Sequence, residues 1–141
     1  MQQNPSRKIE LDFNIENIKS KIDYVIEISG KEFQLKDKND LFNTYRIVAN
    51  FGFNVCVINI TLNKINENKT ELYSEIINSS VTKDQPAVLA KYQDQFLNLL
   101  SKALNGEILN AEVIKSNTSG CLGFIAFIFA LTSMLSSIIF Q

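Results

Sequence analysis

Apolar residues recur at every second position through the middle of this chain, then at every third or fourth, and finally without any period at all. Tyr45, Ile47, Ala49, Phe51 and Phe53 alternate with mostly polar residues or Gly52, and Cys56, Ile58, Ile60 and Leu62 alternate with Val57, Asn59, Thr61 and Asn63. That is the spacing of strands with one buried face. Leu72, Tyr73, Ile76 and Ile77 make the segment from Thr70 to Ser79 compatible with a third such strand. The links Asn50–Asn54 and Lys64–Asn68 are short and rich in turn residues, which predicts an antiparallel meander. From Pro86 to Leu104 the period changes to that of a helix. Leu89, Tyr92, Phe96, Leu99 and Ala103 form a stripe, with Lys91, Asp94, Asn98 and Lys102 on the other side. Asp84 or Gln85 is placed to cap this helix, Pro86 fits its first turn, and Asn105-Gly106 ends it.

The segment Asn14–Gly30 satisfies two patterns. Ile15, Ile18, Ile22, Val25 and Ile26 make a helical stripe, with Asn14 placed as cap and Gly30 as stop. Ile22, Tyr24, Ile26 and Ile28 also alternate, and Ser29-Gly30 before Lys31–Leu35 reads as a two-residue hairpin turn. The helix is the preferred reading, with Leu11 and Phe13 as a short strand before it. The expected order is β-α-β-β-β-β-α: an α+β domain, with an antiparallel sheet carrying helices on one face. Residues 1–7 are polar and read as a flexible arm, 8–106 as the domain, and 107–119 as a polar connector. This layout resembles small bacterial helix-on-sheet domains and is similar to an abbreviated START-like helix-grip fold. The resemblance spans Lys8 to Gly106, rests on element order without a family motif, and implies no functional residues.

The aperiodic tail carries a different message. The 26 residues from Ser116 to Gln141 hold no charge, and 120–140 are apolar all round apart from hydroxyls. Twenty residues at a rise of about 1.5 Å span about 30 Å, the thickness of a bilayer's hydrocarbon core. The expectation is a C-terminal transmembrane helix over 120–140; a buried core helix is the alternative. The N-terminal segment has no apolar stretch of the kind a secretory signal needs, so the reading is a single-pass, tail-anchored membrane protein with its soluble domain cytoplasmic. Ala126 and Ala130 have the small-xxx-small spacing that permits weak self-association through the span. The abundance of Asn, Ile and Lys fits AT-rich codons and hence a bacterial source.

Composition narrows the chemistry mainly by exclusion. Lys plus Arg (14) nearly balances Asp plus Glu (15), leaving a net charge of −1 and no footprint for nucleic acid. No histidine is present, which removes Ser-His and Cys-His dyads and the commonest metal ligand. Cys56 sits among Val55, Val57 and Ile58 and reads as a core residue, and Cys121 as part of the span. Asp37-Lys38-Asn39-Asp40 lacks the glycine and terminal glutamate of a calcium loop and reads as a solvated turn. Neither a catalytic group, a cofactor site nor a metal site is expected, and the protein is read as a non-enzyme.

Aromatic residues are what remains. Phe51, Phe53, Tyr73, Tyr92 and Phe96 are the candidate ligand or partner contacts, with Phe51 and Phe53 flanking a glycine at a turn. The expected function is protein interaction or assembly at the membrane, with an unknown protein partner and the bilayer engaged through 120–140. The alternative is a tethered module for an apolar ligand or lipid, held in a cavity between the long helix and the sheet.

Overall fold

A computed structural model describes residues 4–51, 54–78 and 86–110 of the chain. The element order is β1 (Ser6–Leu11), α1 (Ile15–Ser29), β2 (Phe33–Asn39), β3 (Thr44–Phe51), β4 (Asn54–Asn66), β5 (Lys69–Asn78) and α2 (Pro86–Leu104). The α+β class and the β-α-β-β-β-β-α order therefore follow the hydrophobic pattern. The span expected over 120–140, the connector beyond Asn110 and the caps Asp84 and Gln85 lie outside the described residues. Among the described residues, no helix is long and apolar enough to cross a membrane.

Asn14–Gly30 is a helix rather than a helix-plus-strand. The Asn14 side chain accepts a hydrogen bond from the Asn17 backbone N–H at 2.7 Å, and Gly30 ends the segment at φ 61°. Ile18, Ile22 and Val25 are fully buried at helical spacing. Of the competing alternation, only Ile22 is fully buried, while Tyr24, Ile26 and Ile28 are half-buried at the margin of the core. The pattern of burial is thus that of one helical stripe. At the other end of the domain, Gly106 has φ 84°. Its N–H donates to the Ala103 carbonyl and that of Glu107 to the Lys102 carbonyl, the paired bonds that close a helix terminus.

The sheet has five antiparallel strands in the order β1-β5-β4-β3-β2. β2 to β5 form the expected meander, and β1 joins the free side of β5. β1 starts at Ser6, inside the segment read as an arm, because pairing Ser6 with Glu75 and Arg7 with Ser74 satisfies its backbone groups. Arg7 also reaches across to α2, where its guanidinium forms a two-point pair with Asp94 at 3.3 and 3.4 Å. Asp94 and Asn98, on the side of α2 read from the sequence as solvated, are both buried.

Both helices lie on one face of the sheet. Ile9, Leu11, Ile47, Ile58, Ile60, Leu62, Leu72 and Ile76 point into that layer and meet Ile18, Ile22 and Val25 from α1 and Leu89, Phe96, Leu99 and Ala103 from α2. Phe96 meets Phe33 edge to face, with ring centroids 5.2 Å apart. Near β1 the same layer turns polar: buried Gln93 donates to Ser74 Oγ at 2.9 Å, and Thr70 Oγ1 donates to the Phe13 carbonyl at 2.9 Å. These bonds let polar side chains enter the layer without leaving every polar atom dry.

Candidate functional site

Four polar residues of α1 fall at the spacing of one helix face: Glu16, Lys19, Ser20 and Asp23. They line the flank of the helix beside its apolar stripe, facing the β2–β3 hairpin. The hairpin supplies Lys38 and Asp40, and the six residues enclose an open pocket of about 440 Å³.

A local irregularity in β2 makes this meeting possible. The pairing register shifts between Leu35 and Asp37, so that Asp37 opposes Arg46 and Lys38 opposes Tyr45. Strict alternation would have put Asp37 on the helix side and Lys38 on the other. The extra residue reverses them and carries the Lys38 ammonium to the rim of the core. There it contacts Asp23 Oδ2 at 3.2 Å and Asp40 Oδ1 at 3.6 Å, and lies over the Tyr45 ring, 5.3 Å from its centre. Lys19 contacts the same Asp40 oxygen at 3.2 Å and reaches Glu16 at 4.0 Å. Two cations and three carboxylates thus form one connected network.

The network moves the ionisation of its members in the directions that pairing demands. The hydrogen bond from Lys38 to Asp23 holds the lysine above its ordinary value, and the bond from Lys19 holds the Asp40 carboxyl below its own. Tyr45 lies beneath the Lys38 ammonium. It is fully buried, and burial pushes its phenol up to about 12, helped by the nearby Asp23 charge. Its hydroxyl oxygen is buried without a hydrogen-bond partner. A phenol so held stays protonated near neutrality and is neither a base nor a nucleophile there. Among the described residues, no three His, Cys, Asp or Glu side chains converge as a metal site requires.

The hairpin tip adds the apolar part. Asn39 Oδ1 accepts from the backbone N–H groups of Leu41 and Phe42 at 3.0 and 3.2 Å, and Asn43 takes a left-handed φ of 53°. This closed turn presents Leu41 at 82% and Phe42 at 67% exposure, directly after the pocket residue Asp40. Large apolar side chains held outward on a hydrogen-bonded turn have no part in the core.

The aromatic residues singled out in the sequence do not assemble. Phe96 is fully buried against Phe33 as core. Tyr92 packs half-buried at the edge of the same layer. Tyr73 stands on the opposite face of the sheet at 39% exposure. Phe51 ends β3 at the pair with Asn54, and Phe53 lies outside the described residues. The pocket residues were missed because each half is ordinary on its own: Lys19 and Lys21 are only two basic residues among acidic neighbours, and Asp37–Asp40 reads as a solvated turn. The available signal was the polar row 16, 19, 20, 23 bordering an apolar stripe.

No protein-family model matches the chain, and no curated protein matches it. Solved structures similar to it include a conserved protein from Geobacillus kaustophilus, 16% identical, covering 72% of this chain and 94% of that one, with a TM-score of 0.49. They also include a START superfamily protein from Mycobacterium smegmatis, 14% identical, covering 74% of this chain and 96% of that one, with a TM-score of 0.42. Both likenesses are at low identity, and no family motif accompanies them.

Proposed function

We propose that this chain is a non-enzymatic interaction module, tethered to a bilayer through residues 120–140, whose α+β domain docks a partner protein on its cytoplasmic side. The observation that carries the docking surface is the exposed Leu41–Phe42 turn beside the ion-paired pocket of α1 and β2. An apolar knob next to a polar pocket suits a partner segment in which an apolar side chain is followed by a basic group. The pocket carries three carboxylates against two ammonium groups, so a further cation is the charge it favours. The tether is supported by the length and lack of charge of the tail.

Support for the alternative, an apolar-ligand module, would be open volume between α2 and the sheet. Among the described residues of that layer, Phe33 and Phe96 meet edge to face and Ile58, Leu72 and Leu99 are fully buried, which supports a core role for them. The interaction reading is therefore preferred.

Two experiments test the two halves separately. Membrane fractionation of the full chain, against one lacking 120–141, is expected to move the protein from pellet to supernatant; equal partitioning overturns the tether. A photo-reactive residue placed at Phe42 is expected to give a discrete protein adduct in native membranes, and one at exposed Glu27 of α1 none. Leu41→Ser should lower the adduct at least tenfold without changing the unfolding midpoint. Equal labelling at both positions overturns the docking surface.

A further inference from the structure

The face of the sheet turned away from the helices has its own order. Side chains on it fall into rows that cross the three central strands. One row is Val48, Val57 and Ile77, joined by the pairings Val48 with Val57 and Val57 with Ile77. The next is Arg46, Asn59 and Glu75, joined in the same way. A third is Thr44, Thr61 and Tyr73. Among the described elements, both helices pack on the other side; Val57 at the centre of the face is buried at 6% by its neighbours, and Ile77 and Tyr73 around it remain more than a third exposed at 38% and 39%.

The middle row is unusual for a solvated sheet surface. Arg46 forms no ion pair among the described residues, although it is exposed, and Glu75 accepts only a 3.5 Å hydrogen bond from Asn4. Between them the Asn59 Oδ1 is buried without a hydrogen-bond partner. A positive group, an orphan acceptor and a negative group therefore lie in line on β3, β4 and β5.

We infer that this face is the interface of a two-fold symmetric dimer of the chain, with the axis running along β4 between two stacked sheets. A rotation about that axis keeps the rows level and exchanges left for right, so β3 of each copy lies over β5 of the other. Val57 then meets Val57, and Val48 meets Ile77 twice. Arg46 of each copy faces Glu75 of the other, giving two ion pairs for one operation, as an isologous interface requires. Asn59 meets Asn59 on the axis, where each amide N–H can donate to the other's orphan oxygen. The second in-plane axis, across the strands at Asn59, puts Arg46 on Arg46 and Glu75 on Glu75. Charge selects the first axis over the second. Stacked sheets cross at about 30°, which keeps rows this near the centre in contact. The inference rests on neither the tail nor the pocket at the hairpin.

Charge reversal on the full-length chain in detergent, followed by sedimentation, is the test. The unmodified chain is expected to sediment as a dimer. Arg46→Glu and Glu75→Arg should each raise the dimer dissociation constant at least tenfold, and the double exchange should bring it back to within about threefold. Both positions are on the sheet surface, and an unchanged circular dichroism spectrum verifies that each variant folds. A second readout is Asn59→Cys in a Cys121→Ser background, where a short bis-maleimide that spans the spacing of about 10 Å between stacked sheets should link two copies, and Glu27→Cys should not be linked. A monomeric unmodified chain, single variants that stay dimeric, or a double exchange that stays monomeric overturns the inference.

Discussion

Ile76 and Ile77 are neighbours in β5 with the same side chain, yet one is fully buried under the helices and the other is 38% exposed on the opposite face. The difference between the two faces organises this molecule. On the helix side the buried side chains are mostly apolar, with a polar group near β1, so that face supplies most of the folding free energy. On the far side, short apolar side chains are interleaved with Arg46, Asn59 and Glu75. That mixture is too polar for a domain core and too apolar for an ordinary solvated surface. Sheet geometry makes the contrast sharp, because alternate residues differ in face and not merely in depth.

The largest effect expected from this contrast comes from truncating the two isoleucines separately. Ile76→Ala removes buried methyl groups and leaves a cavity between β5 and the helices, and should cost about 2–5 kcal/mol in urea unfolding. Ile77→Ala at the next position should cost about 1 kcal/mol or less when measured at protein concentrations where the chain is monomeric. The comparison breaks if the two losses are equal. It sharpens if the Ile77→Ala loss grows with protein concentration, since a dimer adds its binding energy to the apparent stability.

The alternation that separates the two faces is also what made the fold legible from sequence. The positions 45, 47 and 49 and the positions 56, 58, 60 and 62 were visible as strand faces, and the register observed pairs them as such. Helix α1 was legible once its cap and stop were weighed with its stripe, because Asn14 and Gly30 have one structural meaning together. The candidate pocket was not legible. It depends on a single extra residue in β2, which exchanges the faces of Asp37 and Lys38. No periodicity argument locates a bulge, since the polar run from Lys36 to Asp40 offers no apolar marker of face. The open face of the sheet was hidden for a related reason. Arg46, Asn59 and Glu75 look unrelated along the chain, and only the strand order places them in one row.

Tyr45 shows the boundary between the two kinds of environment, since it belongs to the core while the Lys38 ammonium of the charged pocket lies over its ring. The folded state holds its proton to about pH 12, whereas the unfolded state releases it near pH 10. Between those values unfolding sheds a proton, so stability must fall as pH rises. The loss across that interval should be about 2 kcal/mol, allowing for the partial solvation of the pocket. Tyr45→Phe should abolish that part of the slope. Near pH 7 it should leave stability unchanged or slightly higher, because an unpartnered buried hydroxyl is removed. Parallel curves for the unmodified and Tyr45→Phe proteins would mean that the hydroxyl is solvated.

At the start of α1 the expected effect is smaller and independent of either face. Asn14→Ala removes the hydrogen bond to the Asn17 N–H and should cost about 1 kcal/mol. Asn14→Asp should retain the bond and add a favourable interaction with the helix dipole. If Asn14→Ala is neutral, α1 is held by its buried stripe alone, and the helical reading owes nothing to its cap.

Surface ion pairs should have the smallest effect of all. Glu10 pairs with Lys69 at 3.2 Å across the β1–β5 edge, with both side chains well exposed at 58% and 38%. Water screens such a pair and two flexible side chains must be ordered to form it. Glu10→Gln should therefore change stability by no more than about 0.5 kcal/mol, and salt should remove even that. Arg46 and Glu75 lie on the same face without an ion pair among the described residues, so replacing either should change the stability of the monomer by a similarly small amount. Their effect should appear only where two copies meet. A loss of more than about 1 kcal/mol from Arg46→Gln in the monomer would mean that the row stabilises the sheet itself, and the two faces would then differ in composition but not in role.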